Sequence, residues 1–161
     1  MLQFDVDELG EVSVYLADES ATLELGGRLG RALSTRLIVY LRGDLGAGKT
    51  TLVRGALHGL DYAGRVKSPT YTLVEVYRLS SLYLHHFDFY RLKESGEWID
   101  AGFREVFGDD NVCLIEWPEK AGGTLPSPDM ELFLEHRDTG RSARLNSHSA
   151  LGIECLRRLI A

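Results

Sequence analysis

Gly43-Asp44-Leu45-Gly46-Ala47-Gly48-Lys49-Thr50 fits G-x-x-x-x-G-K-[ST], the pattern of a loop that wraps the phosphates of a nucleoside triphosphate. Glycines at 43, 46 and 48 let the backbone turn successive N–H groups inward, where a Cβ would forbid the turn. In such a loop Lys49 reaches the β and γ phosphates as a point charge, and the Thr50 hydroxyl is placed to ligate Mg²⁺. The pattern carries weight only between a strand and a helix. Residues 37–41 (LIVYL) form an apolar, partly β-branched run suited to a strand buried on both faces. After Lys49, Leu52, Ala56, Leu57 and Leu60 fall on one face of a helix that stops near Gly59. That helix points its free N–H groups and the positive end of its dipole at the loop. Average residue frequencies make the bare pattern an accident in about half a percent of chains of this length. With strand and helix in register around it, the reading is nucleotide binding.

The totals agree with a protein of this kind. A chain of 161 residues suggests one domain over 1–161 with a full core. Hydrophobic content of 44% and charged content of 26% are ordinary for a soluble globular protein. No run approaches a membrane span and the start, MLQFDVDELG, is acidic rather than signal-like, so a cytoplasmic location is expected. Cys113 and Cys155 lie far apart without metal spacing and read as reduced core thiols. A net charge of −6 argues against the chain holding a nucleic acid by itself.

Residues 12–17 read as a first strand. Asp18-Glu19-Ser20 offers caps for a helix carrying Leu25, Leu29 and Leu33 on one face. Gly26, Gly27 and Gly30 inside that helix each cost about 1 kcal/mol against Ala, which implies close packing against a neighbour that the sequence does not name. A polar loop spans 61–67. Ser68-Pro69-Thr70-Tyr71-Thr72 then packs hydroxyls around a stiffening proline. A solvated turn accounts for this segment; a switch that senses a γ-phosphate or its metal is the other reading.

Residues 73–77 and 82–88 read as an antiparallel pair joined tightly through Ser80-Ser81. In the second strand Leu82, Leu84, His86 and Asp88 share one face. His85 and His86 point to opposite faces, so they read as ordinary packed or exposed histidines rather than a metal pair. Asp88, an acid at a strand end near the loop, is a candidate for the metal or the attacking water. Residues 96–107 suggest a helical stretch broken at Gly102. Val112-Cys113-Leu114-Ile115-Glu116 is an apolar strand delivering an acid where a Thr50-bound Mg²⁺ would sit, the Walker B logic. Trp117 is either core or a lid over partner or nucleotide. Past a Gly/Pro loop, a strand at 130–136, a turn at 138–141 and a strand at 142–147 make a hairpin. A helix at 151–160 closes the chain, with Ile153, Leu156 and Ile160 expected inward.

In these motifs the chain resembles the TsaE (YjeE) family of bacterial P-loop ATPases, which act in the threonylcarbamoyl modification of adenosine in tRNA. The resemblance runs from about Asp18 to Arg144. Its carriers are GDLGAGKTT (43–51), VKSPTYTLVE (66–75), HFDFYRL (86–92) and LIEWPE (114–119). The resemblance implies a three-layer α/β fold of the P-loop NTPase kind, with a mixed central sheet flanked by helices. It implies that Gly46, Ala47, Gly48, Lys49, Thr50 and Thr51 hold the triphosphate of ATP, that Thr50 and Glu116 hold Mg²⁺, and that Lys49 and Asp88 serve hydrolysis. It places Glu19 and Arg141 near the nucleotide. It makes Ser68, Thr70 and Tyr71 part of a switch-like loop and Trp117 a functional surface. The implied partners are TsaD-like and TsaB-like proteins, reset by ATP hydrolysis between catalytic rounds, with tRNA met only through that complex.

The alternative is a small-molecule P-loop kinase. Asp88 and Arg91 could serve one, but no Arg-rich lid segment is present. A GTPase lacks support because no N-K-x-D guanine-reading motif occurs. A nucleotide-gated binding protein without turnover is the third class.

Overall fold

The computed structural model describes residues 1–108 and 110–161. Its strands are β1 (Phe4–Val6), β2 (Val12–Leu16), β3 (Ile38–Arg42), β4 (Val74–Arg78), β5 (Tyr83–Asp88), β6 (Asn111–Glu116), β7 (Met130–Arg137) and β8 (Gly140–Ser147). Its helices are α1 (Glu19–Ala32), α2 (Lys49–Gly59), α3 (Glu97–Asp100) and α4 (Ala150–Ile160), with 3₁₀ turns at Phe103–Val106 and Pro118–Ala121. The strands form one eight-stranded sheet in the order β1-β2-β8-β7-β3-β6-β5-β4. Pairing is parallel between β7 and β3, β3 and β6, and β6 and β5, and antiparallel beyond them on both sides. The expected α/β fold with a mixed central sheet is therefore present. No helix of the described residues is long and apolar enough to cross a membrane.

Side chains alternate between the sheet faces. Val39, Leu41, Leu84, Val112 and Leu114 enter the larger core with residues of α1, α2 and α4. Tyr40, Phe87, Cys113 and Ile115 enter a smaller aromatic core with Phe89 and Trp98. That second layer is made of α3 and the 3₁₀ turns, because Gly102, at φ 86°, breaks the stretch where the sequence suggested an interruption. Both cysteines are free and buried, and burial pushes the Cys113 thiol up to about 12 and Cys155 to about 11.

The partner implied by the helix glycines is α2. A Cβ on Gly26 would overlap the Leu52 carbonyl oxygen and lie 3.0 Å from the Gly55 Cα; one on Gly30 would overlap the Ala56 carbonyl. Gly55 and Gly59 of α2 face back onto the Leu23 and Gly27 backbones in the same way. The two helices thus touch backbone to backbone, and α2 is the helix that starts at the phosphate loop. Asp18 caps α1 by accepting from the Ala21 N–H at 2.8 Å.

Two sequence expectations need correction. The short edge strand β1 has no counterpart in the sequence reading; its three residues are too few for a pattern. In α4 the inward set is Gly152, Cys155, Leu156 and Leu159, while Ile153 is 43% exposed. Gly152 sets that rotation: it lies against the Asp129 carbonyl, where a side chain would not fit.

Candidate nucleotide site

Strand β3 ends at Arg42, and the chain turns through Gly43, Gly46 and Gly48 at φ 149°, 80° and 106° before α2 begins. All are left-handed, a region L side chains avoid. Gly48 caps α2 with no side-chain hydrogen bond, so the first-turn N–H groups remain available as donors. Because β3, β5 and β6 run parallel, their carboxyl ends emerge together on the loop's side.

Lys49 is 4% exposed. Its Nζ donates to the Gly43 carbonyl and, at 3.0 Å, to the Asp44 carbonyl, and it lies 4.4 Å from the centre of the Trp117 ring. Burial lowers the ammonium pKa, against the pull of Glu116 and Asp88.

Glu116 and Asp88 are directly paired in the parallel β5–β6 register. The Thr50 hydroxyl donates to Glu116 Oε2 at 3.0 Å. Asp88 is buried and accepts the Tyr90 N–H at 3.0 Å. Its carboxyl pKa is raised, first by burial, while the Tyr90 N–H works the other way and the Glu116 charge adds to the rise. A cleft of about 260 Å³ is lined by Leu45, Gly46, Lys49, Thr50, Thr70, Asp88, Glu116 and Trp117.

On the other side of the loop, about 300 Å³ is enclosed by Asp18, Glu19, Thr22, Gly46, Thr51, Thr139 and Arg141. Arg141 closes that side by donating to the Ala47 carbonyl at 3.0 Å and the Gly46 carbonyl at 3.2 Å. Glu19 is exposed and lies 3.8 Å from Arg54. A larger cavity of about 440 Å³, lined by Arg42, Asp44, Phe133 and His136, receives neither Lys49 nor Glu116. It lacks the convergent groups that phosphate chemistry needs.

The 68–72 segment splits. Thr70 lines the cleft and Ser68 Oγ lies 2.7 Å from Thr70 Oγ1. Tyr71 is 83% exposed, with the Arg91 guanidinium 4.6 Å from its ring centre. Trp117 is half-buried, stands at φ 56°, and tilts against Tyr90 at 5.0 Å.

Sequence reading missed the partner of Glu116. His86 Nε2 lies 2.6 Å from Glu116 Oε2 with both side chains buried. The available signal was that His86 shares the face of Asp88. His85 points to the opposite face, beside Phe87, and burial lowers its pKa. Among the described residues no group of three His, Cys, Asp or Glu side chains could hold an ion alone. A Mg²⁺ here would draw most of its ligands from phosphate and water, its usual habit.

The family described as threonylcarbamoyl adenosine biosynthesis protein TsaE matches residues 16–144. The tRNA threonylcarbamoyladenosine biosynthesis protein TsaE of Haemophilus influenzae is 43% identical over 143 residues, covering 86% of this chain and 90% of that protein. The protein of the same description from Nostoc sp. is 36% identical over 143 residues, covering 86% of this chain and 85% of its own. The crystal structure of Bacillus subtilis YdiB superposes with a TM-score of 0.73 at 24% identity, covering 99% of this chain and 95% of that one. That likeness is one of fold.

Proposed function

The chain belongs to the TsaE family and so has a role in tRNA threonylcarbamoyladenosine biosynthesis; from that premise we propose that its part is to bind and hydrolyse ATP. The observation that carries this reading is the convergence of Lys49, Thr50, Asp88 and Glu116 on one cleft. The groups fit the ligands. Left-handed glycines and an uncapped helix start offer N–H donors to a triphosphate. Thr50 and Glu116 offer hard oxygen donors to Mg²⁺. When bound, the ion neutralises charge on the β and γ phosphate oxygens.

The chain's own residues do the rest. Lys49 leaves the loop carbonyls for the phosphates and keeps its charge there, although burial opposes it. Asp88 uses one oxygen to hold the Tyr90 N–H, and the other orients the attacking water and receives its proton. Thr70 completes the cleft wall from the switch segment. Arg141 pins the loop from the far side, and Glu19 stands at the mouth where the nucleoside emerges.

Hydrolysis is slow alone and rises on docking to TsaD-like and TsaB-like proteins in the cytoplasm, where it resets their complex; tRNA is met only through that complex. Trp117, an aromatic in a strained backbone beside the Mg²⁺ acid, is the docking anchor, with Ser68 and Tyr71 on the same switch surface. Phosphate release measured across a partner titration tests this. A high basal rate untouched by partners would favour a self-sufficient enzyme, and a phosphorylated acceptor would identify a kinase. Trp117→Ala is expected to leave MgATP bound to the isolated chain. It should shift half-maximal stimulation to roughly thirty-fold higher partner concentration, a hot-spot loss of about 2 kcal/mol.

Glu116 and Asp88 separate by experiment. Glu116→Gln should raise the Mg²⁺ needed for half-maximal turnover about ten-fold or more. Asp88→Asn should lower turnover about a hundred-fold while nucleotide stays bound. Rescue of Asp88→Asn, and not of Glu116→Gln, by added Mg²⁺ would reverse the two roles.

A further inference from the structure

We infer that His86 is a positioning residue: its imidazole holds the Glu116 carboxylate in the orientation that serves Mg²⁺. The inference rests on the nucleotide reading above and extends it to a residue outside the cleft lining.

His86 is fully buried on the face of β5 that also carries Asp88. The parallel register sets it opposite Leu114, two residues before the Asp88–Glu116 pair and on the same face, so its ring reaches Glu116 diagonally across the strands. Its Nε2 lies 2.6 Å from Glu116 Oε2. A carboxylate only accepts, so Nε2 carries the proton in this contact. Nδ1 has no hydrogen-bond partner among the described residues. A purely space-filling role would be served better by an apolar side chain, since an unpartnered buried nitrogen is unfavourable. The other nitrogen's bond to Glu116 is what distinguishes an imidazole here.

That bond acts on the carboxylate's geometry. Oε2 receives both His86 and, at 3.0 Å, the Thr50 hydroxyl, whereas among the described residues Oε1 has only a longer contact of 3.4 Å to Thr50. The carboxylate is thereby anchored through one oxygen, which leaves the other with open lone pairs. Without His86 the glutamate regains rotamers that ordering must then remove. Partners that orient a ligating group are worth about ten- to a hundred-fold in metal affinity.

The test is ATP binding by calorimetry across a Mg²⁺ titration, with a parallel series in EDTA. His86→Leu should bind ATP as the parent does in EDTA but need about ten-fold more Mg²⁺ for tight binding. His86→Gln, whose amide N–H can occupy the place of Nε2–H, should restore the parent Mg²⁺ dependence to within a few-fold. Should the Leu variant fail to fold, His86→Asn, polar but too short to reach Glu116, takes its place with the same expected shift. Equal Mg²⁺ dependence in the parent and the Leu or Asn variant would overturn the positioning role. A parent that shows no Mg²⁺-dependent ATP binding would instead overturn the nucleotide reading itself, so the two failures are distinguishable.

Discussion

Lys49→Ala is expected to lower ATP turnover about 100- to 1,000-fold, the loss typical of removing one preorganised donor to developing charge. The same truncation should hardly affect the fold. Lys49 is buried, and burial is the main influence on its ammonium pKa. Removing it relieves that desolvation and also removes its hydrogen bonds to the Gly43 and Asp44 carbonyls. These opposing effects leave a change of about 1 kcal/mol or less. Calorimetric titration with MgATP, beside a thermal melt of the same sample, separates the two. Unchanged MgATP affinity would remove Lys49 from the phosphate site, and a collapsed melt would make its role structural.

Gly30→Ala should destabilise the protein, against the sign that helix propensity gives. Propensity alone favours Ala by about 1 kcal/mol. The new Cβ, however, would overlap the Ala56 carbonyl and sit 2.9 Å from the Ala56 Cα, and both are backbone of α2. Overpacking of this kind reaches about 3 kcal/mol, so the contact wins by about 2 kcal/mol. For a chain of this length that is a fall in Tm of roughly 4–8 °C. Gly27→Ala is the control. There the one tight neighbour of a Cβ is the flexible end of Arg31, at 3.2 Å, while the Gly55 carbonyl oxygen lies at an ordinary contact of 3.8 Å, so propensity should prevail and Tm should hold or rise. If both variants melt alike, the backbone contact between α1 and α2 is not what limits substitution. Because α2 begins at the phosphate loop, Gly30→Ala should also weaken MgATP, whereas Gly27→Ala should not.

What was legible in the chain was local. Apolar residues at 37–41, the glycine loop and the periodic face after Lys49 lie within some two dozen consecutive residues, so neighbouring dihedrals and one hydrophobic stripe suffice to specify strand, loop and helix. The hairpin at 138–141 was legible for the same reason, and β7 and β8 do pair across it, Arg137 with Gly140. The costs of Gly26 and Gly30 could also be counted from the sequence, but their cause could not, because α2 meets α1 only after the chain has passed through β3. Ile153 fitted a helical face yet points outward, since the seat of Gly152 on the Asp129 carbonyl, not the hydrophobic stripe, sets the rotation of α4. The deepest tertiary decision is the register of β5 on β6. Parallel strands need a long crossover, here the stretch containing α3, and nothing in either strand's pattern states which residue will stand beside which. Pairing Asp88 with Glu116 puts two acids side by side and brings His86 within 2.6 Å of one of them. A slip of β5 by one residue would send Asp88 and His86 to the other face of the sheet, leaving Glu116, which β3 and β6 hold beside Thr50, without either neighbour.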